Sequence, residues 1–174
     1  MNNRWGINND GYPTETSKIQ VETEDSVFNL LAEWQGPSSN ERLTLSRKAH
    51  IRFLRTALIG LGRNFVSLDA SKPWILFWIL QALDLLGEKL TTDEEQRAID
   101  TLSRCQDDAG GFGGGPGQIA HLATTYAAVH ALAIIGSFEA FDSIDRAKLY
   151  NWILSLKQLN GSFIMHHGGE VDVR

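Results

Sequence analysis

The stretch CQDDAGGFGGGPGQIAHLATTY, residues Cys105–Tyr126, decides how this chain folds. Six of its residues are glycine, and Pro116 directly follows three of them. Neither a helix nor a strand tolerates that density, because glycine keeps too much backbone freedom in the unfolded chain. The segment that follows, HLATTYAAVHALAIIG, is apolar on nearly every side and is typical of a buried helix. The sequence therefore predicts a tight turn that leads into the protein interior.

The composition indicates a globular protein and argues against several classes of function. The chain has 174 residues, of which 43% are hydrophobic, enough for one domain with a sizeable core. A net charge of −5, without a clustered Lys/Arg stripe, argues against a nucleic-acid partner. Cys105 is the single cysteine, which rules out an internal disulfide and fits a reducing compartment. The N-terminus lacks an apolar signal-peptide region, and the longest apolar stretch, Pro73–Leu83, is too short to span a bilayer. We therefore expect a cytoplasmic protein without a membrane span.

Apolar periodicity predicts an all-α chain in two parts. Residues 1–20 are polar, contain Gly and Pro, and are predicted to be a flexible N-terminal tail. Residues 21–174 are predicted to form one helical domain, with Asp25 or Ser26 as the cap of its first helix. Further helices are predicted from Leu43 to about Phe65, from Ser71 as N-cap to Gly87, after Thr92, from about His121, and from about Ile144.

Two short sequences recur in the same order with a period of about 50 residues. All-apolar helices alternate with amphipathic ones across this period, which indicates stacked helical hairpins with one set inside and one outside. Such concentric layers describe an α/α toroid, of which this chain supplies a partial barrel; an open solenoid of paired helices is the alternative. We favour the toroid because the inner helices have little polar surface to line an open concave face. The first repeat is QALDLLG (Gln81–Gly87) with HALAIIG (His130–Gly136). The second is LSRCQ (Leu102–Gln106) with LSLKQ (Leu154–Gln158). Each copy of the second repeat leads to a Gly-x-Phe turn, at Phe112 and at Phe163.

Three stretches of the chain resemble one family of enzymes. They are QDDAGGFGGGPGQIAHLATTYAAVHAL, DASKPWILFWIL and SLKQLNGSFIMHHGGEVDVR, and they resemble the β subunit of protein farnesyltransferase in order and spacing. The resemblance implies a zinc enzyme that joins a farnesyl group from farnesyl diphosphate to the cysteine of a C-terminal Cys-a-a-X peptide. It also implies an α/α toroid for the β subunit, a separate helical α subunit as partner, and magnesium as a further metal.

The resemblance also indicates what this chain lacks. The family's three zinc ligands, an Asp, a Cys and a His, belong to repeats beyond Arg174, and Cys105 lies where the family has no metal ligand. We therefore predict no catalytic residue and no metal ligand here, and we interpret the chain as an N-terminal fragment that is inactive alone. A geranylgeranyltransferase β subunit and a truncated, non-catalytic isoform that binds the α subunit are the alternatives.

The substrate-binding residues are also assigned through the resemblance. Trp74 and Trp78 are one helical turn apart and share a face, which on spacing alone also fits two core tryptophans. The resemblance implies that both line the pocket for the a-a-X end of the peptide. By the same match, Ser71 and the His121–Ala123 segment receive the side chain of X.

Two further positions are assigned to the isoprenoid. The resemblance implies that Tyr126 lies near the far end of the farnesyl chain and that Arg174 borders the isoprenoid pocket. Trp74 is bulky, and a bulky residue there shortens the pocket, which argues against the geranylgeranyl alternative. Thr124 replaces the proline usual in the family, so the X preference stays open.

Two other motifs are assigned structural roles. The glycine run could be mistaken for a phosphate loop, but it lacks a Gly-Lys-Ser/Thr ending and no strand precedes it. His166 and His167, with Glu170, could suggest a metal site. Adjacent histidines do not easily face one ion from a regular element, and the resemblance supplies no ligand role for them.

Overall fold

The computed structural model of the protein describes residues 12–33 and 44–172. The chain divides into two compact units, Met1–Leu45 and Ser46–Arg174. Within its described residues, the first unit contains one helix, α1 (Glu15–Glu33), and none of the residues of this helix is buried. This helix spans the predicted boundary at residue 20.

Helix α1 begins ten residues before the predicted cap at Asp25. Its start is defined by a reciprocal pair of hydrogen bonds: the amide of Thr14 donates to Ser17 Oγ (2.8 Å), and the amide of Ser17 donates to Thr14 Oγ1 (3.1 Å). This is a capping box with serine in place of the usual Glu or Gln, a signal that the sequence analysis missed. Residues 15–20 of the predicted tail belong to α1, and residues 1–11 lie outside the described part.

The second unit contains six α-helices, one 3₁₀ helix and a short hairpin within residues 46–172. The strands pair antiparallel, with Phe163 opposite Asp172. Among the described residues, every helix is too short or too polar to cross a membrane. The elements are α2 (Arg47–Ile59), a 3₁₀ helix (Arg63–Ser71), α3 (Lys72–Leu85), α4 (Thr92–Ser103), α5 (Leu122–Ile135), α6 (Phe138–Asp142), α7 (Arg146–Ser155), β1 (Phe163–Ile164) and β2 (Val171–Asp172).

Helix α2 is shorter than the predicted helix, and α6 was not predicted. Gly60 has extended backbone angles (φ 172°, ψ 147°), which ends α2 before Phe65 and leaves the 3₁₀ helix to continue the chain. Helix α6 begins after Ser137, whose Oγ accepts a hydrogen bond from the amide of Ala140 (3.2 Å). A single turn of helix carries too few residues for periodicity to reveal it.

Helices α3 and α5 pack side by side and form the inner pair of the second unit. Trp74 contacts Tyr126 and, one turn later, Phe77 contacts His130, so the two helices run parallel. Outer helices α2 and α4 pack against this pair. The main core contains large side chains that are each worth roughly 1.5–3 kcal/mol of burial. They include Leu80 of α3, Ile99 and Leu102 of α4, Phe112 of the glycine turn and Leu132 of α5.

The two Gly-x-Phe turns have the same backbone hydrogen-bond pattern, as the internal repeat predicts. In each turn a bridge pairs the residue before the turn with its phenylalanine, Gln106 with Phe112 and Lys157 with Phe163. Equivalent hydrogen bonds close both loops, and the repeated glycine has a positive φ in both. In the first turn the N–H to O=C hydrogen bonds are Asp107 to Gly111 (2.8 Å), Gly110 to Asp107 (2.9 Å) and Gly113 to Cys105 (2.8 Å). The corresponding bonds of the second turn, in the same order, are Gln158 to Ser162 (2.7 Å), Gly161 to Gln158 (2.9 Å) and Ile164 to Leu156 (3.1 Å).

The first glycine turn is held between two helices by close backbone packing. A Cβ added to Gly110 would overlap the backbone of Lys148 in α7, and one added to Gly111 would lie 2.5 Å from the Trp152 ring. On the other side, the amide of Lys72 donates to the carbonyl of Gly114 (2.9 Å), which joins the turn to the start of α3. The glycines thus allow the approach of these helices.

Arg55 joins α2 to the connection between α3 and α4. Its guanidinium donates to both carboxylate oxygens of Glu94 (2.8 and 2.6 Å) and to Glu88 (3.1 Å). These hydrogen bonds raise the pKa of Arg55. Burial by itself would raise the pKa of Glu94, but hydrogen bonds from Arg55 and Thr91 outweigh it and lower that pKa below its usual value. The ion pair therefore persists at neutral pH.

Candidate functional site

Helices α3 and α5 bring five aromatic rings together on one surface, which we call the aromatic wall. Trp74, Phe77 and Trp78 come from α3, and Tyr126 and His130 come from α5. Residues three or four apart share a helix face, and the parallel packing of the two helices places these faces beside each other. The wall therefore contains the predicted residues Trp74, Trp78 and Tyr126, together with Phe77 and His130, which the sequence analysis missed.

Trp74 lies at the centre of the aromatic wall. Its ring centroid is 5.6 Å from that of Trp78, 5.8 Å from that of Tyr126 and 6.1 Å from that of Phe77. Trp78 is 56% exposed and Tyr126 is 49% exposed, so these are not ordinary core residues. A contiguous set of half-buried and exposed aromatic rings is typical of a surface that binds an apolar ligand.

Tyr126 is held between its neighbours by two kinds of ring contact, tilted and edge-on. The imidazole of His130 lies 4.1 Å away at an interplanar angle of 35°, a tilted stack. Phe77 meets Tyr126 edge-on at 5.9 Å and meets His130 edge-on at 6.0 Å. Nδ1 of His130 lies 2.9 Å from the carbonyl oxygen of Tyr126. Since a carbonyl only accepts, Nδ1 carries the proton.

Ser71, His121 and Ala123 lie at the N-terminal ends of the two inner helices. Because α3 and α5 run parallel, these ends occupy the same end of the helix pair. Ser71 is at the predicted N-cap position of α3, although its side chain makes no capping hydrogen bond. The 3₁₀ helix runs directly into α3, Pro73 at the second helical position has no N–H to be capped, and the amide of Lys72 donates to the carbonyl of Gly114.

His121 has the capping role at the start of α5. Its Nδ1 accepts a hydrogen bond from the amide of Ala123 (3.1 Å), so in the neutral ring the proton is on Nε2. The ring centroid lies 5.6 Å from that of His166, and the amide of Leu122 donates to the carbonyl of Met165 (2.8 Å). The start of α5 is therefore positioned by the second Gly-x-Phe turn.

Two buried threonines connect α5 to the first glycine turn. The hydroxyl of Thr124 lies 2.6 Å from the carbonyl oxygen of Phe112, and the amide of Phe112 donates to Thr125 Oγ1 (2.9 Å). These bonds satisfy both backbone polar groups of Phe112 inside the core. Thr124 therefore has a structural partner where the family usually has proline. The Thr-Thr pair in an otherwise apolar helix was the available signal for this contact.

The described residues do not fit a metal centre. Within residues 12–33 and 44–172, no three His, Cys, Asp or Glu side chains are grouped to hold an ion. The Cys105 thiol is buried and donates to the carbonyl of Thr101 (3.2 Å), and burial raises its pKa. His166 and His167 use different partners, because His167 Nε2 lies 3.2 Å from Ser155 Oγ while His166 Nδ1 lies 3.0 Å from a backbone carbonyl. The predicted site residue Arg174 lies outside the described part.

Comparison with known proteins identifies relatives that match more than nine tenths of the chain. The protein farnesyltransferase subunit beta of Pyricularia oryzae is 43% identical over 170 residues, which are 95% of this chain and 33% of that protein. The subunit of the same name from Arabidopsis thaliana is 41% identical over 164 residues, 92% of this chain and 34% of that protein. The chain thus spans about a third of the length of these curated relatives.

A more distant relative carries a different name. The geranylgeranyl transferase type-2 subunit beta of Saccharomyces cerevisiae is 30% identical over 144 residues, which are 76% of this chain. The predicted resemblance to farnesyltransferase β subunits is confirmed, and the geranylgeranyl alternative is the weaker one. The family model described as the prenyltransferase alpha-alpha toroid domain matches residues 45–174, which confirms the predicted fold class. Since this match covers most of the chain, the protein belongs to the prenyltransferase α/α toroid family.

Proposed function

We propose that this chain is part of the β subunit of a protein farnesyltransferase. The reaction transfers farnesyl from farnesyl diphosphate to the cysteine of a C-terminal Cys-a-a-X peptide: the thiol loses its proton, a carbon–sulfur bond forms, and diphosphate leaves. The observation that carries the proposal is the partly exposed aromatic wall around Trp74 and Tyr126, in a chain with similar relatives that bear that subunit name. An apolar isoprenoid requires an apolar, aromatic-lined surface of this kind.

Each part of the wall has a proposed role. Trp74 and Tyr126 contact the far end of the farnesyl chain, and their ring faces exclude water from it. Trp78, one turn along α3, contacts the a-a-X end of the peptide. The proposed contacts of the X side chain are Ser71, His121 and Ala123, at the common N-terminal end of α3 and α5. Arg174 is proposed to border the isoprenoid pocket.

The cofactor and partners belong to the proposal as well. Zinc, where bound, would lower the pKa of the substrate thiol and so favour its reactive thiolate form. Because the described residues do not fit a zinc site, the metal ligands are proposed to lie elsewhere in the complete protein, as is any magnesium site. The proposed partner is the helical α subunit of the heterodimer. The free, buried Cys105 supports a cytoplasmic location.

The test is a donor competition assay on Trp74→Thr in the complete β subunit assembled with its α subunit. Removing the indole opens space at the end of the pocket, so the use of geranylgeranyl diphosphate should rise relative to farnesyl diphosphate. Trp74 is only half-buried, so the loss of stability should be less than the roughly 3–5 kcal/mol typical of a core tryptophan.

Trp74→Phe is the matched control, because phenylalanine keeps an aromatic ring at the same position. It should shift the donor ratio less than Trp74→Thr does. If Trp74→Thr loses stability but leaves the donor ratio unchanged, Trp74 has only a packing role and does not select the donor. A wild-type heterodimer that transfers neither donor would contradict the proposed function itself.

A further inference from the structure

His130 is the one member of the aromatic wall whose side-chain conformation is fixed by a hydrogen bond to the residue it stacks on. Its Nδ1–H donates to the carbonyl oxygen of Tyr126, one helical turn earlier on α5 (2.9 Å). The same ring then lies against the Tyr126 ring with centroids 4.1 Å apart, the shortest ring separation in the wall. Both contacts link residues four apart, so they require no movement of another helix.

Tyr126 depends on this contact more than on its others. Half of its surface is exposed, so the core does not enclose its ring. Trp74 and Phe77 of α3 approach it from one side, at 5.8 and 5.9 Å. His130 occupies the side towards the C-terminal end of α5. Without that ring, Tyr126 loses its shortest ring contact and is free to change its orientation relative to Trp74.

We propose that His130 positions the Tyr126 ring and thereby sets the length of isoprenoid that the aromatic wall accepts. This rests on the proposed function, since it assigns a donor-selecting role within the same site. His130 acts through Tyr126 and is a positioning residue. Phe77 supports the same arrangement, because its edge faces both rings of the stacked pair.

The experiment compares His130→Ala and His130→Phe in the complete heterodimer, with farnesyl and geranylgeranyl diphosphate in competition. His130→Ala removes the stack and should change the ratio of kcat/KM values for the two donors by about tenfold, equivalent to about 1.4 kcal/mol. His130→Phe keeps a ring against Tyr126 and should restore most of the wild-type ratio. His50→Ala, at an exposed histidine of α2, is the matched control and should leave the ratio unchanged.

A second readout separates this inference from the proposed function. In the chain labelled at tyrosine, the ring resonances of Tyr126 should move in His130→Ala and stay near their wild-type positions in His50→Ala. If the wild-type heterodimer transfers neither donor, the proposed function fails. The positioning role is tested separately, and it is overturned if the Tyr126 resonances do not move in His130→Ala. If the enzyme is active and His130→Ala leaves the donor ratio unchanged, the donor-selecting role is overturned. A ratio that His130→Phe fails to restore would overturn ring stacking as the cause.

Discussion

Substitution of glycine by alanine in the two Gly-x-Phe turns separates two causes of lost stability. One is the strain of a left-handed backbone, and the other is a steric clash of the new Cβ. Gly161, in the second turn, has φ +88° and open space around the position of a Cβ. Gly161→Ala should therefore lose only about 1–2 kcal/mol, the cost of a left-handed backbone for an L-residue. Gly111, in the first turn, has no positive φ, but its Cβ would lie 2.5 Å from the Trp152 ring. Gly111→Ala should cost about 1–3 kcal/mol through overpacking.

Gly110 combines both penalties. It has φ +117°, and its Cβ would overlap the backbone of Lys148 and Leu149 in the first turn of α7. Backbone cannot rotate away as a side chain can, so α7 itself must move and take Trp152 with it. We expect Gly110→Ala to lose more than about 3 kcal/mol, beyond either single effect.

The assay is urea unfolding of the purified chain, followed by far-UV circular dichroism. The transition midpoint should fall slightly for Gly161→Ala, further for Gly111→Ala and most for Gly110→Ala, by at least about 1 M urea at unchanged slope. If Gly110→Ala and Gly161→Ala cost the same, close packing against α7 is not why the first turn requires glycine. A neutral Gly161→Ala would refute the estimate for the left-handed conformation.

Three further outcomes follow from the structure. Glu94→Gln keeps the amide-accepting oxygen of the capping box but loses the charge facing Arg55, so it should cost about 1–2 kcal/mol at pH 7. Because the pKa of Glu94 is lowered in the folded protein, its contribution to stability is present above the unfolded pKa of 4.5 and is lost as the pH falls through the lower folded pKa. The free energies of unfolding of the wild type and Glu94→Gln should then converge. Glu95→Gln is the control and should show no such convergence, because Glu95 makes no ion pair among the described residues. The purified chain should bind no stoichiometric zinc, and one zinc per chain by elemental analysis would contradict the absence of a ligand cluster among the described residues. The chain should also associate at high concentration because Trp78, Leu85 and other large apolar side chains are exposed; sedimentation as a monomer would show that these surfaces are not adhesive.

Local sequence patterns predicted the inner helices and their turns well. Helices α3, α4 and α5 begin and end close to the predicted residues, because Pro73, Thr91 and Gly136 act on the backbone within a turn of themselves. The predictions were less accurate where the hydrogen-bond partner was an unusual capping residue, as at the start of α1, or came from a distant part of the chain. Ser71 occupies the predicted N-cap position, but its side chain makes no capping hydrogen bond, and the carbonyl of Gly114, from another part of the chain, accepts from the amide of Lys72.

The candidate site was predicted in part for the same reason. Trp74 and Trp78 share a helix face by spacing alone, and the resemblance placed Tyr126 with them. Phe77 and His130 were missed because their contacts with Tyr126 depend on how α3 lies against α5 and on a side-chain hydrogen bond. No spacing rule within a single helix reports the distance between two helices.

The sequence by itself determined the glycine turns, the internal repeat and the alternation of apolar and amphipathic helices, since each depends on residues close together in the chain. Only the tertiary structure decided which aromatic rings stay exposed to water and which glycines are sterically required. Gly110 and Gly161 occupy equivalent positions of the repeat and both have a positive φ, yet only Gly110 lies against another helix. The difference arises because a glycine turn is a local conformation, whereas the space around it is determined by the elements that pack against it.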